Sequence, residues 1–168
     1  MKPLHLIRHA KSSWDNPGWM DKERPLNASG VRACELMAAE IAAQGRGFRQ
    51  VFCSPAERAQ ATIIHLSEAL PQQVIGWQTV ESLYTFSAQR LLSWCQTLGD
   101  SLTEVTLIGH NPALTDLCND LGDRFIDNIP TCGYVQLQLN TDRWQSIAAA
   151  SAHVKVFLYP KMFQVGDA

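Results

Sequence analysis

Short apolar runs alternate along the chain with longer segments in which apolar residues recur every three or four positions. The runs have the length of buried strands, whereas the segments have the periodicity of amphipathic helices. In the segment 28–44, for example, Val31, Cys34 and Ile41 share one helical face. The pattern predicts strands at 4–8, 51–53, 74–78, 105–109, 134–139 and 155–159, and helices at 28–44, 55–70, 87–98 and 112–121.

The alternation of strands and helices predicts the fold class. It favours an α/β protein, a three-layer α/β/α sandwich around a mostly parallel central sheet. The predicted strands 134–139 and 155–159 are not separated by a convincing helix. We therefore expect part of the sheet to be antiparallel, so that the sheet is mixed.

Length, charge and cysteine content exclude several classes of protein. The 168 residues fit a single domain, 1–168, and the net charge of -2 predicts no general attraction to nucleic acid or to a membrane. The N-terminal apolar run is too short for a signal peptide, and no later run approaches a membrane span. Five cysteines without a CxxC pair argue against a disulfide scaffold and a zinc site. We expect a cytoplasmic protein with small buried cysteines, no metal and no cofactor.

Three predicted strands are followed by cationic or imidazole side chains. The first strand ends in Arg8-His9, the second leads into a helix with Arg58 in its first turn, and His110 follows the fourth. The carboxyl ends of parallel strands share one crevice, so these side chains should meet there. Guanidinium groups and helix N-termini both bind phosphate oxygens. The sequence therefore predicts a phosphate site.

The predicted helices 55–70 and 112–121, which begin beside this site, both start with a capping pattern. Ser54 and Asn111 are predicted N-caps, each followed by a proline suited to the first helical turn. Glu57 would complete a capping box with Ser54.

The chemistry that these residues permit is phosphoryl transfer. A neutral imidazole at position 9 can attack phosphorus and become a phosphohistidine. Surrounding cations would stabilise the charge that develops on the phosphoryl oxygens. Consecutive strand residues face opposite sides, so Arg8 and His9 can reach one phosphate only if the strand ends there.

The motifs LIRHAKS, SPAERAQAT and LIGHNPAL, in this order, resemble those of the histidine phosphatase superfamily. The segment DKERPLNASG is similar to its short SixA-type phosphohistidine phosphatase branch, and the resemblance spans residues 4–121. It implies that His9 is the nucleophile and that Arg8, Arg58 and His110 bind the phosphoryl group.

The chain departs from the wider family pattern at the position of the general acid. Glu81 is the only acid between residues 69 and 99, whereas the family's glutamate would fall nearer Leu83 and Tyr84. Asp15 replaces the asparagine of mutase-like members, and Ala10 replaces the usual glycine. Candidate substrate-binding residues are Lys11, Ser12, Asp15 and Glu81, although Lys11 and Glu81 could equally be solvated.

The long irregular stretch 10–27 has residues with two possible roles. Trp14 and Trp19 could contact a partner or pack the loop. We expect Asp21, Glu23 and Arg24 to form a polar network within the loop.

The missing acid favours one substrate class. An alkoxide needs a proton donor to leave phosphorus, whereas imidazole leaves phosphohistidine as a neutral base. The expected partner is a phosphohistidine-bearing protein. A small-molecule phosphomonoesterase or mutase, with Glu81 or Asp15 as its acid, and a non-catalytic phosphate-binding module are the alternatives.

Overall fold

The fold is taken from a computed structural model, which describes residues 1–45 and 48–164. The end of the predicted domain at residue 168 lies outside the described residues. Every predicted strand and helix has a counterpart. The strands are β1 (Lys2–Arg8), β2 (Val51–Cys53), β3 (Trp77–Thr79), β4 (Val105–Gly109), β5 (Tyr134–Leu139) and β6 (Ala152–Leu158), and the helices are α1 (Ala28–Ala42), α2 (Glu57–Glu68), α3 (Ala88–Cys95) and α4 (Ala113–Leu121).

The six strands form one mixed sheet in the order β3-β2-β4-β1-β5-β6. Strands β1 to β4 pair in parallel, whereas β5 is antiparallel to β1 and β6 is antiparallel to β5. This confirms the expected mixture. Arg8 pairs with Gly109, and Cys53 pairs with Ile108, so the carboxyl ends of β1, β2 and β4 lie side by side.

Helices cover both faces of the sheet, which confirms the three-layer sandwich. Helices α1 and α2 pack together over one apolar core, and α3 and α4 pack together over the other. Along β1, Leu6 belongs to one core and Ile7 to the other, because successive strand side chains point to opposite faces. Trp144 is fully buried in the α3–α4 core, where its indole Nε1 donates to the Leu102 carbonyl at 2.9 Å.

The helix starts differ from their predicted caps. The predicted capping box at α2 was wrong: the helix begins at Glu57 after an extended Ala56, without a side-chain cap. The Ser54 hydroxyl oxygen accepts from the Ala56 amide and also bonds to His110, which follows the neighbouring strand β4. At α4, the N-cap is Pro112, one residue after the predicted cap, although the Asn111 side-chain oxygen still accepts from the first-turn amide of Thr115 at 3.1 Å.

The expectation of buried cysteines is confirmed within residues 1–45 and 48–164. All five cysteines are buried and free of disulfides. The His5 side chain is a hydrogen-bonded core residue between the Tyr134 hydroxyl and Glu104. None of the described helices is long and apolar enough to cross a membrane.

Candidate active site

A cavity of about 380 Å³ opens at the carboxyl ends of β1, β2 and β4. Arg8, His9, Arg58 and His110 all line it, so the structure brings the four predicted catalytic residues together. Strand β1 ends at Arg8, which lets Arg8 and His9 face the same cavity despite being adjacent in the chain. The strand therefore ends where it must if Arg8 and His9 are to reach one phosphate.

The His9 imidazole has the form that nucleophilic attack requires. Its Nδ1 lies 2.7 Å from the Ala10 carbonyl oxygen, so Nδ1 donates and Nε2 keeps its lone pair. Nε2 faces Arg58, whose Nε donates to it at 3.3 Å. Burial lowers the pKa of His9 to about 4, against the opposing effect of the Ala10 carbonyl and with further lowering by Arg58. The imidazole is therefore neutral at physiological pH.

Neighbouring backbone contacts hold the segment that carries His9. The Thr62 hydroxyl accepts from the Ala10 amide at 2.9 Å, and the Asn27 amide donates to the Lys11 carbonyl at 3.0 Å. Gly30 of α1 lies so close that a Cβ there would stand 2.2 Å from the Lys11 carbonyl oxygen. The small residue lets the helix pack directly beneath the backbone that follows His9.

The two arginines differ in how fully their nitrogens are bonded. Arg8 donates from one terminal nitrogen to the Ile129 carbonyl at 2.9 Å, while its buried Nε has no hydrogen-bond partner among the described residues. Arg58 donates from its other two nitrogens to the backbone and the carboxylate of Asp21, at 2.7 and 3.0 Å. Burial, followed by the charge of Arg58, lowers the pKa of Arg8. An anion between the guanidinium groups would relieve this repulsion.

His110 presents a second donor to the cavity. The Ser54 hydroxyl oxygen accepts from the Ala56 amide at 3.2 Å, and we assign its proton to the bond with His110 Nε2, 2.8 Å away. The neutral ring then carries its own proton on Nδ1, a buried atom without a partner in the part of the chain that the structure describes. Burial, and then the charges of His9 and Arg58, lower the pKa of His110 to about 3. Nδ1–H is thus an unused donor in the neutral ring.

These unpaired donors suit a phosphoryl group. Buried donors are usually satisfied, so Arg8 Nε and His110 Nδ1 are suited to donate to the oxygens of a bound phosphoryl group. The rings of His9 and His110 lie 5.2 Å apart, which places the donors beside the candidate nucleophile. No group of three or more metal-ligating side chains is found in residues 1–45 and 48–164.

Asp21 is a charged cavity residue whose contact with Arg58 the sequence did not reveal. The expected loop network is present in part, because Arg24 donates to Asp21 at 3.3 Å, whereas Glu23 accepts from the Met20 amide. The same Asp21 carboxylate also accepts from Arg58 and from the Tyr84 hydroxyl. Burial opposes its ionisation, but the bonds from Tyr84 and Arg58 outweigh burial and lower the pKa of Asp21 to about 2. The one available signal was the position of Asp21 at the start of DKERPLNASG.

The four candidate substrate-binding residues separate into two pairs. Lys11 and Ser12 line the cavity, with the Ser12 hydroxyl accepting from Arg24 at 2.8 Å. Asp15 is exposed and lies outside the lining. Glu81 lines a neighbouring cavity, where its side chain is 79% exposed and accepts from Lys22 at 3.1 Å. The structure does not bring Asp15 or Glu81 to the candidate nucleophile.

Trp14 lies at the rim of the cavity. Its side chain is exposed, and its ring stacks on the Arg24 guanidinium at 3.6 Å. The tryptophan therefore packs on its own loop and also presents a free aromatic face beside the site.

A buried imidazole among guanidinium groups, at the carboxyl ends of the parallel strands, is an arrangement that suits phosphoryl transfer. The model of the histidine phosphatase superfamily (branch 1) matches residues 4–88, and the chain belongs to that superfamily. This membership and the fold make the protein a phosphatase by class.

Three comparisons indicate the range of its relatives. The uncharacterized protein Rv1276c of Mycobacterium tuberculosis is 26% identical, over 92% of this chain and all of that protein. The protein histidine phosphatase SixA complexed with tungstate has a TM-score of 0.79 and 19% identity, covering 96% of this chain and 99% of that chain. Mycobacterial glucosyl-3-phosphoglycerate phosphatase has a TM-score of 0.68 and 14% identity, covering 93% and 98%. Both structures share the fold of this protein.

Proposed function

We propose that the protein is a cytoplasmic phosphohistidine phosphatase that acts on a phosphorylated protein. The observation that carries this proposal is the ionisation state of the carboxylate in the cavity. Asp21 is the one carboxylate that lines the cavity within the described residues, and its pKa is lowered to about 2. A group that stays ionised cannot act as a general acid near neutral pH. The cavity thus suits a leaving group that departs without protonation by the enzyme.

Phosphohistidine has such a leaving group. His9 Nε2 attacks phosphorus, a bond forms between them, and the P–N bond to the substrate breaks with its electron pair going to the substrate nitrogen. When the other ring nitrogen already carries a proton, imidazole leaves as a neutral molecule. Arg8, Arg58 and the Nδ1–H of His110 bind the phosphoryl oxygens during the transfer. Water then attacks the phosphohistidine at position 9 and releases inorganic phosphate.

The resemblance to SixA supports a protein as the substrate. The structural likeness to a protein histidine phosphatase covers 96% of this chain. Lys11 and Ser12 at the cavity wall provide polar contacts for the phosphoryl group or its carrier. With the net charge of -2, nothing in the composition favours nucleic acid or a membrane surface as a partner.

A small-molecule phosphomonoesterase is the second candidate. A neighbouring cavity of about 780 Å³ lies beyond Tyr84 and is lined by Glu81 and Arg90. These charged side chains could hold the non-phosphoryl part of a small substrate, and a glucosyl-3-phosphoglycerate phosphatase shares the fold. The third candidate, a phosphate-binding module without catalysis, has no use for a neutral imidazole at position 9 whose unprotonated Nε2 lies beside Arg58.

The decisive experiment compares kcat/KM for a phosphohistidine-bearing protein with that for a panel of sugar phosphates. We expect the phosphohistidine protein to be preferred by more than about hundredfold, since general acid catalysis normally supplies about 10²- to 10⁴-fold. Equal or better turnover of a sugar phosphate would instead favour the phosphomonoesterase.

Rapid quench with labelled substrate tests the covalent step. An acid-labile, base-stable adduct should form on His9 and should be absent from His9→Ala. Near wild-type turnover by a folded His9→Ala protein would refute the mechanism.

A further inference from the structure

Asp21 lies at the mouth of the cavity, across Arg58 from the candidate nucleophile. The Nε edge of Arg58 faces His9, and the opposite edge of the same guanidinium binds the Asp21 carboxylate. His9 is 8% exposed, whereas the Asp21 side chain is 45% exposed. The nucleophile therefore lies on the floor of the cavity and the carboxylate near its opening.

In-line displacement directs the leaving group towards this opening. The attacking and leaving atoms lie on opposite sides of phosphorus in the transition state. A phosphoryl group that is attacked from His9 on the floor must release its leaving group on the solvent side. Asp21 is the one carboxylate on the described cavity wall that can meet it there.

Besides Arg58, two side chains hold the Asp21 carboxylate in place. Tyr84 donates its hydroxyl proton to one carboxylate oxygen, and Arg24 donates to the other at 3.3 Å. Tyr84 in turn packs edge-on against the His110 ring, with centroids 5.4 Å apart. These contacts fix the position of the negative charge, and a fixed charge can favour one class of leaving group over another.

We infer that Asp21 selects phosphoramidates whose leaving group carries an N–H, by accepting a hydrogen bond from the leaving imidazole. This inference rests on the proposed function and adds the residue that sets substrate class. The N–H on the ring nitrogen remote from phosphorus donates to the Asp21 carboxylate while the P–N bond breaks. The electron pair of that bond remains on the leaving nitrogen, and the imidazole departs neutral. An anionic leaving group, such as an alkoxide or a phenolate, would be repelled by the same carboxylate.

The test uses two small probes on the full chain, phosphoimidazole for the P–N class and p-nitrophenyl phosphate for the P–O class. Asp21→Asn keeps an oxygen that can accept from Arg58 but removes the charge. We expect this variant to lower the ratio of kcat/KM for phosphoimidazole to kcat/KM for p-nitrophenyl phosphate by about tenfold to a hundredfold, the range for one hydrogen bond to a charged group.

Two further variants separate selection from positioning. Glu23→Gln makes the same charge change two residues away, outside the cavity lining, and should keep the wild-type ratio. Asp21→Ala also removes the Arg58 anchor, so it should lower both rates as well as the ratio. Thermal melting of each variant establishes that it is folded.

An equal fall in both rates for Asp21→Asn, with an unchanged ratio, would overturn the inference, because Asp21 would then only anchor Arg58. The proposed function would survive that result if the wild-type protein still prefers the phosphohistidine protein. A wild-type protein that turns over p-nitrophenyl phosphate and neither P–N substrate would overturn the proposed function, and the inference with it.

Discussion

Acidification should destabilise this protein through the two histidines that line its cavity. Burial lowers the pKa of His9 to about 4 and that of His110 to about 3, whereas both titrate near 6.5 in the unfolded chain. The folded state therefore binds fewer protons than the unfolded state between these values. Stability is highest above pH 6.5, decreases as the pH falls through 6.5, and for His9 stops decreasing near pH 4.

The size of the loss in unfolding free energy follows from the difference between the folded and unfolded pKa values of each histidine. At pH 5, about 1.5 units below the unfolded pKa, a histidine that stays neutral in the fold costs about 2 kcal/mol of unfolding free energy relative to pH 8. This value requires only that the folded pKa lie below about 5, a condition that both residues meet. The two together should cost about 4 kcal/mol at pH 5. Carboxylates with a lowered pKa, such as Asp21, lose their contribution only at lower pH.

Urea unfolding at pH 8 and pH 5 measures this loss. His9→Gln should reduce the difference between the two unfolding free energies by about 2 kcal/mol. The matched control is Thr62→Val, which removes the hydroxyl that accepts from the Ala10 amide and has no titrating group. It should lower stability at both pH values and keep the wild-type difference. An unchanged difference in His9→Gln would refute the argument that burial keeps this imidazole neutral.

Three further predictions concern the site. Because arginines supply its positive charge, turnover should survive exhaustive treatment with EDTA, and vanadate should inhibit competitively; loss of activity that one divalent ion restores would contradict this. Gly30→Ala should reduce stability by about 1–3 kcal/mol and impair turnover, since its Cβ would meet the Lys11 carbonyl; a fully stable and active variant would show that the helix can shift. Glu81→Gln and Asp15→Asn should change phosphohistidine turnover by less than about tenfold, because neither residue lines the cavity; a leaving-group series that becomes steep only in Glu81→Gln would identify Glu81 as the acid.

The fold could be predicted from the sequence because its signals are local. Apolar periodicity and strand length depend on neighbouring residues, and they placed each described α-helix and strand near its observed position. The convergence of Arg8, His9, Arg58 and His110 was also predictable, since parallel strands align their carboxyl ends. The antiparallel end of the sheet followed from the absence of a helix between β5 and its neighbour β6.

The partners of the polar side chains were decided only by the tertiary structure. Ser54 accepts from the nearby Ala56 amide, as its sequence position suggests, but its hydroxyl also bonds to His110, which is 56 positions away in the chain. Asp21 belongs to a loop network, yet it also reaches Arg58 over 37 positions. Glu81 has a side chain that can act as a general acid, but it lies in a neighbouring cavity and pairs with Lys22. A polar side chain bonds to whichever partner the packed loops bring within about 3 Å, and no local pattern encodes that distance.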